Sequence, residues 1–464
     1  MQPPSNPSSP PDPLPLRPRG LTRRRFLRTV VGAAAAFGAV HAGASLAAAD
    51  SSGKDAPKSS PQAPAEKASP AQRKKIALIA TEVRKYSHAQ HFLDRFLEGY
   101  GWHGEHHASL VELASLYVDQ FPEGDLSRER ERRRGVKIYP TIAEALTLGG
   151  AKLAVDGVVI IGEHGDYPSN AKGQKLYPRY RFHREVMKVF EASGKAAPVF
   201  NDKHLSTDWG ECRQMVADAS RLGFPYLAGS SLPVTWRIPS LEIPLGTPLE
   251  ESLCVAYGGV DSYDIHGLES AQCLSERRAG GEVGVRAVHA ARGARAWDLL
   301  LARNTTSRLL LAALSRSHTI TPAEGYTCAV PTLSHAKKHC PEPTVYIVEH
   351  LDGFRTTLVL ANGLVQDFNC AVKLKEKDEV LSCQMHLPMP PRISTLADFF
   401  NPLVNNVEEM IVTGKAPYPV ERTLLMSGVV IFAVESLYRG EVRLLTPELD
   451  VAYAAPEASH HWRA

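Results

Sequence analysis

Two short polar clusters sit directly behind apolar runs in this chain, and each mixes residue types that can move protons. Gly162-Glu163-His164-Gly165-Asp166-Tyr167 follows the run 155–161, and Asn201-Asp202-Lys203-His204 follows 198–200. A lysine beside a carboxylate at a strand end can be held as a charged donor or have its pKa tuned for proton transfer. A third cluster runs from Asp261 to Glu269; if helical, it puts His266 within one turn of Ser262 and of Glu269, so that a carboxylate orients the imidazole. Each cluster also has a plainer reading: a solvated loop, a surface turn and a satisfied structural histidine. A fourth, Glu276-Arg277-Arg278-Ala279-Gly280-Gly281-Glu282, reads as a helix end with a glycine stop and surface ion pairs. His335, His339 and Cys340 have i, i+4 spacing but no supporting partner motif. HExxH, GxSxG, the P-loop and any CxxC pair are missing, so no metal site is expected and hydrolase or nucleotide-triphosphatase readings lose weight.

The elements that must position these clusters follow from hydrophobic periodicity. Ile76-Ala77-Leu78-Ile79-Ala80 is a continuous apolar run of the kind a buried parallel strand shows, and Ser87 caps a helix with Phe92, Phe96 and Leu97 on one face. Strands over 113–118, 155–161, 198–200 and 226–228 then alternate with helices over 126–134, 142–148, 182–192 and 208–222. That alternation predicts an α/β fold with a Rossmann-like, doubly wound parallel sheet over 74–235, whose ligands bind at the C-terminal strand ends. Segments 81–87, 162–181, 201–206 and 229–237 should line one cleft. Beyond residue 236 the pattern becomes α+β. Strands are expected over 346–350, 356–361 and 364–373 in a mostly antiparallel open sheet, with Asp352-Gly353 and Asn362-Gly363 as hairpin turns, and helices over 396–413 and 420–438. This C-terminal domain is placed at 236–455.

The start of the chain has a different character. Eight of the first 18 residues are Pro; Arg23-Arg24-Arg25 precedes a mildly apolar stretch from Val30 to Val40, and Ala47-Ala48-Ala49 follows. This reads as a twin-arginine signal peptide over 1–49, with export to the periplasm or beyond and the translocase as a transient partner. Residues 50–73, rich in Ser, Pro, Ala and Lys, read as a disordered linker. The signal carries six Arg against one Asp, so its removal takes the net charge from +3 to −2. A near-neutral chain without a later long apolar run points away from nucleic acid and from stable membrane insertion. The seven cysteines read mostly as buried small hydrophobes, with one or two disulfides left open.

The order of the motifs carries a resemblance. Glu191-Ala192-Ser193-Gly194-Lys195, then Pro198-Val199-Phe200-Asn201-Asp202-Lys203-His204-Leu205, then a helix ending Ala219-Ser220-Arg221-Leu222-Gly223 resemble the Gfo/Idh/MocA oxidoreductases, with Lys203 at the lysine of their EKP motif. His266 falls at the histidine of their D-x-G-x-H-x-x-D motif, with Glu269 for the last Asp. Gly414-Lys415-Ala416-Pro417, the helix 420–438 and Leu445-Thr446-Pro447 resemble their C-terminal close, so the likeness spans 74–453. It implies NAD or NADP as cofactor, hydride transfer with a sugar- or polyol-like substrate, and a C-terminal sheet that in the family often supports an oligomer interface. The resemblance puts Lys203 and His266 at the reacting hydroxyl, with Asp202 and Glu269 beside them. The cofactor would meet Thr81, Arg84, Asp119, Gly162, Glu163 and His164, and the substrate Asp166, Tyr167, His204, Arg237 and Asp264.

The chain also departs from the family. Where G-x-G-x-x-G should follow the first strand stands Thr81-Glu82-Val83-Arg84-Lys85-Tyr86-Ser87, without a glycine. Two further readings therefore stay open. One is a divergent lyase or hydrolase without dinucleotide, metal-assisted or not; the other is a non-catalytic sugar-binding protein on the same scaffold.

Overall fold

The computed structural model describes residues 73–328 and 330–462. The expected signal peptide and all but the last residue of the expected linker lie outside the described residues.

The first half is built from β1 (Lys74–Ala80), α1 (His88–Glu98), β2 (Tyr100–Trp102), β3 (Glu105–His107), β4 (Val111–Val118), α2 (Ser127–Arg134), β5 (Lys137–Tyr139), α3 (Ile142–Thr147), β6 (Gly157–Ile161), α4 (Arg179–Ser193), β7 (Val199–Asp202), α5 (Trp209–Leu222) and β8 (Tyr226–Gly229). Six of these strands form a parallel sheet in the order β5-β4-β1-β6-β7-β8, flanked by the small β2-β3 hairpin. Its strands read as unbroken apolar runs because both faces are covered. In β1, Ile76, Leu78 and Ala80 enter the core beneath α1, while Ala77 and Ile79 enter the core beneath α4. The chain runs outward from β1 through β4 to β5, then crosses back to β6 on the other side. The strand order therefore reverses between β1 and β6, and the crevice at their C-terminal ends is the switch point where such sheets bind ligands.

The second half comprises β9 (Arg237–Ile238), β10 (Leu249–Ala256), α6 (Asp264–Ser275), β11 (Val285–Arg292), α7 (Gly293–Leu301), α8 (Asn304–Leu314), α9 (Leu333–His339), β12 (Thr344–His350), β13 (Arg355–Leu360), β14 (Phe368–Leu374), β15 (Val380–Met385), α10 (Asn401–Thr413), α11 (Glu421–Tyr438) and β16 (Leu444–Leu445). Eight strands form an open sheet in the order β16-β11-β12-β13-β10-β14-β15-β9, antiparallel except for the β10–β13 pair. Alternate residues of β10 serve two cores. Cys254 and Ala256 pack with α6 and α11, whereas Leu253 and Val255 pack with α7 and α8.

The C-terminal helices tie the halves together. Phe399 to Ile411 pack into the core under α1 and β4, and α11 places Leu424 in the first half and Leu425 and Val429 in the second.

Asn362-Gly363 closes no hairpin, because β10 lies between β13 and β14, and two expected elements begin four or more residues late. The strand expected over 364–373 begins at Phe368, because the buried Asp367 carboxylate turns away to accept from Ser317 Oγ, His318 N and Gln384 Nε2. The helix expected from 396 begins at Asn401, with Pro402 in its first turn where no N–H is needed. All seven cysteines are unpaired and six are buried. No helix among the described residues is long and apolar enough to cross a membrane.

Candidate active site

A cavity of about 120 Å³ lies at the C-terminal ends of β6 and β7. His88 and His91 reach it from α1, whose N-terminus is fixed by Ser87 accepting from Gln90 N at 3.2 Å. Glu163 and His164 follow β6, Lys203 follows β7, and Tyr263 and His266 come from the start of α6, while Leu387, Met389 and Phe400 close the cavity from the segment ahead of α10. Four non-glycine residues at or beside it adopt left-handed backbone: Tyr86 (φ 66°), His164 (φ 70°), Lys203 (φ 62°) and Asp261 (φ 62°). Strain of this kind persists where the surroundings over-determine it, and it collects at functional sites.

The polar groups are paired in a definite way. His88 Nδ1 donates to the buried Asp202 carboxylate at 2.7 Å. In a neutral imidazole whose Nδ1 donates, Nε2 carries the lone pair. Lys203 Nζ donates to Glu163 Oε1 at 2.6 Å and to the Ser262 carbonyl at 3.1 Å. Burial works against the Glu163 carboxylate, but the Lys203 ammonium against it outweighs that effect and holds the carboxyl below its ordinary range. Burial also lowers His164 and His91 to about 3 and takes His266 well below its usual value, so these imidazoles are neutral at pH 7. His266 Nδ1 lies 2.5 Å from Ser230 Oγ.

Several expectations are corrected. Glu269 does not orient His266: its carboxylate accepts from Ser230 N and Thr423 Oγ1, both at 2.6 Å, because Gly229 lets the backbone after β8 approach so closely that a Cβ there would lie 2.7 Å from the Glu269 oxygens. Asp202 pairs with His88, not with Lys203. His204 is buried behind the cavity, its Nε2 accepting from Arg179 at 3.1 Å. Asp264 is spent on Asp261 N, its neighbour Ile265 N and Tyr346 Oη. Arg237 donates to the Leu241 carbonyl inside the second half. Neither Asp264 nor Arg237 lines the cavity, and Asp166 and Tyr167 turn toward the end of β4 instead. The charged residues of the cluster 276–282 are buried, not superficial: Arg278 bonds Glu282 and Asp352, and Glu276 bonds Arg422 at 2.8 Å. His335 Nε2 is bonded to the Thr321 carbonyl at 2.7 Å.

Sequence reasoning missed His88, His91 and Ser230. The signal for the first two was present: two histidines in the first turn of a helix that opens on the cleft.

No protein-family model matches the sequence, and no curated protein matches it. Solved structures do match the fold. Myo-inositol dehydrogenase from Lactobacillus casei, in complex with NAD(H) and myo-inositol, is 10% identical with a TM-score of 0.51, covering 84% of this chain and 100% of that one. GenD2 from gentamicin A biosynthesis, in complex with NAD, is 14% identical with a TM-score of 0.48, covering 81% and 96%. UDP-N-acetylglucosamine 3-dehydrogenase GnnA from Acidithiobacillus ferrooxidans is 11% identical with a TM-score of 0.45, covering 79% and 96%. On the likeness to the myo-inositol dehydrogenase, the chain has the two-domain fold seen in Gfo/Idh/MocA-type dehydrogenases.

The switch-point crevice shows how far this chain's residues suit a dinucleotide. Asp119, at the end of β4, stands where a carboxylate would take ribose hydroxyls. It already accepts from Tyr117 Oη (2.5 Å), Tyr167 Oη (2.7 Å) and Arg181 (2.7 Å). Burial opposes its charge, and these three donors outweigh that effect and keep it ionised. Thr81 is fully buried and donates to the Glu163 carbonyl at 2.5 Å; Glu82 is buried and paired with Arg84 at 2.6 Å. Gly162 is packed against Arg179. In this arrangement the polar groups that would meet a dinucleotide are engaged by the chain itself.

Proposed function

We propose that the chain is an oxidoreductase that interconverts a hydroxyl and a carbonyl on a sugar- or polyol-like substrate, with NAD or NADP as the hydride carrier. One observation carries this reading. The Asp202–His88 pair, Lys203 and His266 converge on a single cavity at the C-terminal edge of a sheet whose fold is that of a dehydrogenase solved with NAD(H) and myo-inositol.

His88 Nε2 takes the proton of the substrate hydroxyl, and Asp202 holds the ring in place and stabilises the imidazolium formed. Lys203 has two of its three hydrogens committed to Glu163 and Ser262, and the third polarises the substrate oxygen. His266, neutral and anchored by Ser230, positions a neighbouring hydroxyl. A nicotinamide, when bound, supplies the hydride step. Export by the twin-arginine route belongs to the same proposal, supported by the arginine motif and the alanine run ahead of Asp50.

The test is a panel of polyols and sugars incubated with the full chain and NAD⁺ or NADP⁺, following reduced nicotinamide. Turnover that disappears in Lys203→Ala supports the reading. If no nicotinamide is released on denaturation and neither dinucleotide shifts Tm, the reading fails. The engagement of these crevice groups by the chain itself favours a second reading, in which the same cavity performs proton-transfer chemistry of the lyase or hydrolase type without a dinucleotide. Substrate consumption in the absence of NAD(P) would select it. A reporter fused behind residues 1–49 tests export, which fails if Arg24-Arg25→Lys-Lys leaves translocation unchanged.

A further inference from the structure

The segment joining β6 to α4 crosses the place a dinucleotide would occupy. Because the sheet order is β4-β1-β6, a chain leaving β6 can touch residues behind β4 only by passing over the C-terminal end of β1. It does so with a ladder of contacts. The Glu163 carbonyl accepts from Thr81 Oγ, Asp166 N donates to Gln120 Oε1 at 2.8 Å, Gln120 Nε2 donates to the Asp166 carbonyl at 3.0 Å, and Tyr167 Oη donates to Asp119.

The segment's far limb is fastened to the second half. Gln174 Nε2 donates to Asp261 at 3.0 Å, and Lys172 pairs with Glu435 of α11 at 2.5 Å. Between these anchors it has a structure of its own. Ser169 and Lys175 form a bridge, and Asn170 Oδ1 accepts from Lys172 N and Gln174 N. The segment can therefore swing as a unit rather than melt. Apart from Glu163 and His164 at its root, none of its side chains lines the cavity.

We propose that residues 165–178 form a latch that occupies the dinucleotide crevice and must release before the cofactor enters, an inference that rests on the oxidoreductase reading. The latch closes on Asp119 itself, the carboxylate at the end of β4, with the Tyr167 hydroxyl donating to it at 2.7 Å. Its contacts to Asp119, Gln120 and Glu435 lie at partly exposed residues, the class of contact that opens most readily, while Gln174 and Asp261 meet in a buried contact. Apparent affinity for the cofactor then equals the intrinsic affinity scaled by the open fraction. Weakening the latch tightens binding without touching Asp119.

The experiment is calorimetric titration of NAD⁺ and of NADP⁺ into the full chain, the Tyr167→Phe/Gln120→Ala double variant, and Lys172→Ala, which leaves Asp119 and Gln120 untouched. The latch predicts at least about tenfold tighter binding in the double variant and a severalfold gain in Lys172→Ala. Equal Kd values across all three proteins would overturn the latch while leaving the oxidoreductase reading standing. If none of the three binds either dinucleotide, both are overturned. Should the double variant fail to fold, Lys172→Ala decides by the same criterion.

Discussion

Two aspartates end two strands of the same sheet and meet opposite fates. Asp119, behind β4, accepts from three donors of its own chain. Asp202, the last residue of β7, is fully buried and takes part in one functional pairing, to a histidine on another element. The first arrangement consumes a carboxylate to hold a segment in place; the second uses one to aim an imidazole into a cavity. A strand-end position thus marks where chemistry can be placed, and the partners decide whether it is.

The sharpest way to break this contrast is at His88. His88→Ala should lower turnover by about 10²–10⁴-fold, the usual span for a lost general acid or base, with the fold intact by circular dichroism. If turnover instead survives in His88→Ala and collapses in His266→Ala, the proton is carried by the residue at the family's motif position and Asp202 is structural. Next in size is Asp202→Asn, which keeps the shape but no longer stabilises an imidazolium. A drop of about 10–10²-fold in kcat with a shifted pH–rate profile is expected, while KM changes little.

A third carboxylate sharpens the comparison by pH. Burial raises Glu269 from 4.5 to about 7. The folded chain therefore keeps a proton that the unfolded chain releases above about pH 4.5. The stability this confers is complete below that pH and is lost as pH rises through about 7. Denaturant unfolding over this window should show stability falling with pH in the wild type and a flatter profile in Glu269→Gln. The smallest effect belongs to Tyr167→Phe, which removes one hydrogen bond to Asp119. Equilibrium unfolding should register a loss of ~1–2 kcal/mol, with kcat unchanged.

Much of the scaffold was legible in advance. The unbroken apolar runs of β1 and β6, the Ser87 cap and the alternation of helices with strands all report burial or backbone satisfaction within a few residues, which periodicity encodes directly. The two strand-end clusters were found for the same reason, and Glu163, His164 and Lys203 do meet at the cavity. Pairings were a different matter. Glu269 lies three residues from His266, which suggested a helix-face contact, yet it turns to Ser230 N and Thr423. Asp166 and Tyr167 stand in a glycine-bearing loop that suggested substrate contact, yet they reach across β1 to Gln120 and Asp119.

By itself, the sequence determined a doubly wound parallel sheet followed by a mostly antiparallel one, and it marked the strand ends where polar residues gather. Only the tertiary structure decided which of those residues act together. His88 meets Asp202 across 114 positions, Lys203 meets Glu163 across 40 and His266 meets Ser230 across 36. The physical reason is that hydrophobic periodicity is a local quantity, set by which face of an element is buried. Side-chain pairing depends instead on strand order and crossovers, and these bring β1, β6, β7 and α6 to one edge and carry the segment after β6 over the crevice between them.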